Sequence, residues 1–115
     1  MKNYDLEDRT KSFSIKIIHL CKKLPFNTVN HRLIDQLIRS STSIGANYRE
    51  ANETDTKKDF KNKITIAKKE VKETIYWLEL ILEANSGIKD EMFSLLDESK
   101  QLIKILASIY DKINV

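Results

Sequence analysis

Residues 56–85, TKKDFKNKITIAKKEVKETIYWLELILEAN, decide the fold. Within them Phe60, Ile64, Ala67, Val71, Ile75, Leu78 and Leu82 recur every three or four residues, the repeat of one face of an α-helix, with charged residues between them. Thr56 stands three residues ahead of Asp59 and four ahead of Phe60, which reads as a helix start with Asp in place of the usual capping-box Glu. A helix of this length gains most of its stability by packing its apolar face against other helices, so the rest of the chain must supply them.

Working outward, Leu33, Leu37, Ile44 and Ala51 share one face of an upstream helix, flanked by Ile34, Ile38 and Tyr48 and running to about Glu53. The loop Pro25-Phe26-Asn27-Thr28 precedes it, and Pro25 ends a first helix that carries Leu6, Phe13, Ile17, Leu20 and Leu24. Asp5 is the expected N-cap of that first helix, with Glu7 and Asp8 in its first turn. Downstream, Ser86-Gly87-Ile88 reads as a helix stop, Gly87 taking the left-handed conformation and Ile88 folding back onto the preceding turn. A last helix then carries Met92, Leu95, Leu96, Leu102, Leu106, Ile109 and Ile113 to the end of the chain. Short connections imply antiparallel neighbours, so the expectation is an all-α, antiparallel up-down four-helix bundle forming one domain over residues 1–115.

Composition supports this. The 115 residues are 41% hydrophobic and 32% charged with only 2 Gly and 1 Pro, a balance that favours long helices over turn-rich sheets or disorder. The net charge of +3 is too mild to identify a nucleic-acid binder from the total alone, so the distribution of charge must decide. The opening Met1-Lys2-Asn3-Tyr4-Asp5 has no apolar signal-like stretch, and no run approaches the ~20 apolar residues of a membrane span; the expectation is a cytoplasmic protein with no membrane partner.

Several residues ask for a reason. Gly45 inside a predicted helix costs about 1 kcal/mol relative to Ala, which a close approach of another helix would offset, within the bundle or against another subunit; a tolerated glycine on a solvated face is the alternative. Ser40, Ser41, Ser43 and Ala46 narrow the same helix. Gln36, Arg39, Ser40, Ser43, Asn47 and Glu50 line one polar face, and Glu70 and Glu73 interrupt the third helix. Arg39 is expected to pair with Glu70 or Glu73, with Ser43 and Asn47 satisfying the remaining carboxylate lone pairs; separate surface charges are the alternative.

Two further stripes lie on the third helix. Ile66, Trp77 and Ile81 form a second apolar stripe, expected at an interface between subunits unless one wide internal core takes it up. Lys57, Lys61, Lys68 and Lys72 fall within one sector at ~100° per residue, widened by Lys58 and Lys69, while Glu79 and Glu83 reverse the charge farther along. Such a stripe suits phosphate contacts, multiplied if the chain assembles symmetrically; a solvated lysine face is the bland alternative. Tyr48 and Tyr76 are available in principle to stack on bases, yet no sequence-reading module is present, so RNA or DNA would be held by its backbone.

Signals for catalysis are weak. No carboxylate–His pairing of ferritin type, zinc motif, phosphate-binding loop or nucleophile elbow occurs, and no cofactor is expected. His19 and His31 do not follow an arginine at the spacing of helical ribonucleases and read as surface or cap residues. The single Cys21 cannot form an intrachain disulfide and reads as a small core residue.

The segment Gln36 to Ala51 is similar to the core Gln-x-x-Arg-(Ser/Ala)-x-x-Ser-Ile-x-x-Asn-x-x-Glu of the four-helix-bundle proteins encoded in intervening sequences of bacterial 23S ribosomal RNA genes, met here by Gln36, Arg39, Ser40, Ser43, Ile44, Asn47 and Glu50. Asp59-Phe60, Ile66-Ala67, Glu70 and Glu73 extend the resemblance over nearly the whole chain. The resemblance implies a homopentameric ring and a relation to accessory proteins of diversity-generating retroelements, which look like nucleic-acid partners of reverse transcriptases. It implies no enzymatic activity. The expected function is therefore a non-enzymatic homo-oligomer that binds RNA or DNA, ahead of a protein-protein scaffold or adaptor, with an unrecognised enzyme last.

Overall fold

The computed structural model describes residues 3–113; Met1 and Lys2 of the chain's opening, and Asn114 and Val115 at its end, lie outside the described residues. Four helices follow in order: α1 (Asn3–Lys23), α2 (Thr28–Asn52), α3 (Lys57–Ala84) and α4 (Lys89–Lys112). Neighbours in sequence pack side by side and α4 closes back on α1, giving an all-α, up-down four-helix bundle of 46 × 22 × 19 Å. The 28 residues of α3 rise ~42 Å at ~1.5 Å each, so this one helix runs nearly the full length of the bundle.

Local chemistry sets the helix ends. Thr56 accepts a hydrogen bond from the Asp59 amide at 3.1 Å and starts α3; Asn27 accepts from the Asn30 amide at 2.8 Å and starts α2. Two expected ends are corrected. α1 begins at Asn3, which leaves Asp5 inside its first turn, favourable to the helix dipole, instead of at the N-cap. α3 stops at Ala84 with Asn85 as its cap, two residues before Gly87, although Gly87 does take a positive φ of 84°.

Asn85 ends the helix because its amide is used twice. Nδ2 donates to the Ile81 carbonyl at 2.9 Å and to Asn30 Oδ1 at 2.8 Å, while Asn30 Nδ2 donates to Asn85 Oδ1 and to the Pro25 carbonyl, each at 2.9 Å. This amide pair ties the α1–α2 connection to the end of α3.

Leu6, Phe13, Ile17, Leu20, Leu37, Ile44, Tyr48, Ile64, Val71, Leu78, Met92, Leu102 and Leu106 form one shared core. Within α3 the fully buried positions are Ile64, Ala67, Val71, Thr74, Leu78 and Ile81, a 3.5-residue repeat. The expected frame had skipped polar Thr74 in favour of Ile75 and Leu82, which are half-buried. Thr74 can sit inside because Oγ1 donates to the Glu70 carbonyl at 2.8 Å and lies 2.9 Å from Ser40 Oγ of α2.

Gly45 is buried where α2 meets α1 of the same chain. An ideal Cβ there would lie 2.9 Å from Thr10 Oγ1 and 3.2 Å from Thr10 Cβ. Thr10 Oγ1 is itself held, 2.9 Å from the Leu6 carbonyl and 3.0 Å from that of Glu7. Gly45→Ala should therefore cost about 1–2 kcal/mol, overpacking outweighing the ~1 kcal/mol gain in helix propensity. Combined with Thr10→Ala, which vacates the space, the two changes should be non-additive in the favourable direction by about 1 kcal/mol in urea melts; simple additivity would mean that the two sites do not meet.

Candidate nucleic-acid interface

The α2–α3 contact fixes where every side chain of α3 points. Ser40 and Thr74 meet in its buried centre, and charged groups flank them on the solvent side. Arg39 Nη2 lies 2.5 Å from Glu73 Oε1 and Nη1 lies 3.4 Å from Glu70 Oε1. The Glu73 hydrogen bond, more than any other influence, raises the Arg39 guanidinium above its ordinary range. Toward the other end of the seam, Lys63 Nζ donates to Glu50 Oε1 at 2.7 Å.

The expected roles of Ser43 and Asn47 are corrected. Ser43 Oγ donates to the Arg39 carbonyl at 2.7 Å and Asn47 Nδ2 to the Ser43 carbonyl at 2.8 Å, so both turn back onto their own helix. Neither completes the hydrogen bonding of the carboxylates. The ion-pair cluster is also not buried on the arginine side, where Arg39 is 48% exposed.

Ile81, expected with Ile66 and Trp77 at an intersubunit surface, is 0% exposed and belongs to the bundle's own core, because the inward turn of Thr74 carries Ile81, seven residues on, inward with it. Ile66 remains 39% exposed and Trp77 half-buried, its ring edge-on to Tyr76 at 5.0 Å between centroids. Tyr48 is buried and unavailable for stacking on a base, and burial raises its phenol above the ordinary range; Tyr76, 54% exposed, stays accessible.

The lysines divide into two groups. Lys57, Lys58, Lys69 and Lys72 are exposed. Lys61 and Lys68 are half-buried against α4, where Tyr110 presents its ring to both: Lys61 Nζ lies 4.2 Å and Lys68 Nζ 5.0 Å from the ring centroid. Among the described residues none of these six pairs with a carboxylate, whereas Lys63 of the same helix does. The sequence could not announce Tyr110, since nothing in the spacing of α4 marks it as the neighbour of two α3 lysines. Nor did it mark the α1–α4 tie, in which Arg9 holds Glu98 at 2.7 and 2.8 Å and Gln101 at 2.7 Å.

Among the described residues no three His, Cys, Asp or Glu side chains come together as a metal-binding group. No helix is long and apolar enough to cross a membrane, again among the described residues.

The model of the 23S rRNA-intervening sequence protein family matches residues 2–108. The chain belongs to that family. Among solved structures, a protein of unknown function from the S23 ribosomal protein family of Bacteroides thetaiotaomicron VPI-5482 is 37% identical, with a TM-score of 0.85 over 97% of this chain and 100% of that one. No protein of curated function matches. Neither the family description nor the neighbour's name indicates an enzyme. The four-helix architecture is thus shared with that solved structure along nearly the whole chain.

Cys21 lies in the core, and burial pushes its thiol up to about 11. At pH 8 the folded protein should therefore be alkylated by iodoacetamide at least roughly tenfold more slowly than the urea-unfolded chain, because the thiolate is the nucleophile. The gap should close only as pH rises toward that value. Equal rates in the two states at pH 8 would show an accessible, ordinary thiol.

Proposed function

We propose that this protein is a non-enzymatic, cytoplasmic homo-oligomer that binds the phosphate backbone of RNA or DNA through the lysine surface of α3. The observation that carries the reading is the set of lysines without carboxylate partners among the described residues, Lys57, Lys58, Lys61, Lys68, Lys69 and Lys72, on a helix whose Lys63 pairs with Glu50. Cations left unpaired along one helix offer counterion release as the driving force for binding a polyanion, and that force carries no base preference. Tyr76, four residues beyond Lys72 and exposed, adds one stacking platform to the same outer face.

Self-assembly is supported by exposed Ile66 and half-buried Trp77, about three turns apart on the same flank of α3, and a count of five copies is what the family resemblance implies. Repetition of the lysine surface around a symmetric assembly would raise avidity without any new contact. A protein-protein scaffold or adaptor is the second reading, favoured by large side chains elsewhere on the surface, Phe26 at 96% and Phe93 at 53% exposed.

Reversing Lys57, Lys61, Lys68 and Lys72 to Glu should weaken binding to a mixed-sequence duplex by more than roughly tenfold and reduce the slope of log affinity against log salt by about three to four. Unchanged affinity and slope would reject the lysine mechanism; recovery of one protein partner that is indifferent to salt would favour the scaffold. Sedimentation of the wild type at micromolar concentration should show an oligomer that Ile66→Glu dissociates. A strict monomer would reject assembly.

A further inference from the structure

Two of the six lysines differ from the rest in that a side chain of another helix holds them. We propose that Tyr110 is the positioning residue of the lysine surface, its ring fixing Lys61 and Lys68 at the α3–α4 seam so that both ammonium groups meet one short run of phosphates. The inference rests on the nucleic-acid reading above and adds to it a second helix, a focal point and a rank order among the lysines.

The geometry is specific. Lys61 and Lys68 are seven residues apart on α3, and both Nζ atoms approach the one ring, at 4.2 and 5.0 Å from its centroid. The two ammoniums can be no farther apart than the sum of those distances, a span of no more than roughly three nucleotide rises at about 3.4 Å each. A free lysine loses much of its rotamer freedom when it grips a phosphate, and this loss subtracts from affinity. Lys61 and Lys68 have already lost part of that freedom to the Tyr110 ring. Two like charges on one ring also repel, and in the free protein no carboxylate among the described residues pairs with either. An anion between them would relieve that repulsion, whereas Lys63 already has Glu50. The exposed lysines Lys57, Lys58, Lys69 and Lys72 then contribute mainly long-range attraction.

The test is a salt series of fluorescence-anisotropy titrations of the full chain against a fluorescein-labelled, mixed-sequence RNA duplex and the DNA duplex of the same sequence. Tyr110→Leu should weaken binding about three- to tenfold and leave the salt slope unchanged, because no charge is lost. Tyr110→Phe, which keeps the ring face, should bind like the wild type. Lys61→Gln with Lys68→Gln should weaken binding and reduce the slope by roughly two. If Tyr110→Leu binds as tightly as the wild type while the lysine pair still weakens binding, the positioning role is overturned and the nucleic-acid reading stands. Absence of binding to either duplex by the wild type overturns both. A measurement free of any folding defect in Tyr110→Leu is the NMR spectrum of the wild type and of Tyr110→Phe. The ε-methylene protons of Lys61 and Lys68 should be shifted upfield by the ring current in both; random-coil shifts in the wild type would overturn the proposal.

Discussion

The rotation of α3 about its own axis is the constraint on which the rest depends, and the hydroxyl contact between Ser40 and Thr74 sets it. Both residues are fully buried with their hydroxyl oxygens 2.9 Å apart, and each hydroxyl also reaches a carbonyl of its own helix, Thr74 Oγ1 that of Glu70 at 2.8 Å and Ser40 Oγ that of Leu37 at 3.3 Å. Turning α3 by one residue, ~100°, would remove Thr74 from that site, leave Ser40 only the Leu37 carbonyl of its own helix at 3.3 Å, and carry the apolar stripe from Ile64 to Ile81 out of the core. With Thr74 inward, Ala67 and Ile81, seven residues to either side, are inward too. Lys61 and Lys68 then fall against Tyr110.

The ion pairs flanking that contact orient α3 more than they stabilise it. Arg39 is nearly half exposed, so solvent screening limits its pairing with Glu73 and Glu70 to less than about 1 kcal/mol. Stability resides in the shared core, and one end is closed by the reciprocal amides of Asn30 and Asn85, whose side-chain N–H donors are all used. Asn30 is buried, and without Asn85 its amide would be left partly unsatisfied, a penalty larger than the net gain of an average hydrogen bond.

The number of helices, their order and most of the core were legible in sequence because apolar spacing reports directly which face of a helix is dry. Leu6, Phe13, Ile17 and Leu20 are all buried on α1 and Leu24 just after it, and Thr56 caps α3. The helical frame was legible only to within one position in the second half of α3, because a polar residue in the core breaks an apolar pattern. Thr74 is acceptable inside because its hydroxyl bonds the Glu70 carbonyl one turn back and meets Ser40, and the second partner, on another helix, is not given by spacing. The same reasoning explains Ile81: its neighbour Leu82 fits the apolar repeat, which places Ile81 on the second stripe expected between subunits, whereas it is buried in the bundle's own core. At the candidate site, the approach of Arg39 to Glu70 and Glu73 followed from opposite charges on facing helices, but the turn of Ser43 and Asn47 toward their own backbone depends on side-chain rotamers. The α3 lysines could be listed from spacing, whereas their division by Tyr110 required the register between α3 and α4.

That register bears on whether assembly and polyanion binding can coexist on one helix. Ile66 and Lys68 are two residues apart, which separates them by ~200° around α3. Ile66 and Trp77 lie toward the flank that carries Arg39, Glu70 and Glu73, next to α2; Lys61 and Lys68 lie toward the opposite flank, next to α4. A sister chain covering the first flank would leave the second open, so burial of the apolar stripe would not require desolvating the lysines, a cost that unpaired charges at an interface would otherwise impose. The exposed Lys58 and Lys69 lie between the two flanks, on the outer face. In the proposed assembly, a polyanion bound to these lysines would offset repulsion among like charges on neighbouring copies. The proposed assembly and the proposed backbone binding would then favour one another through ordinary linkage.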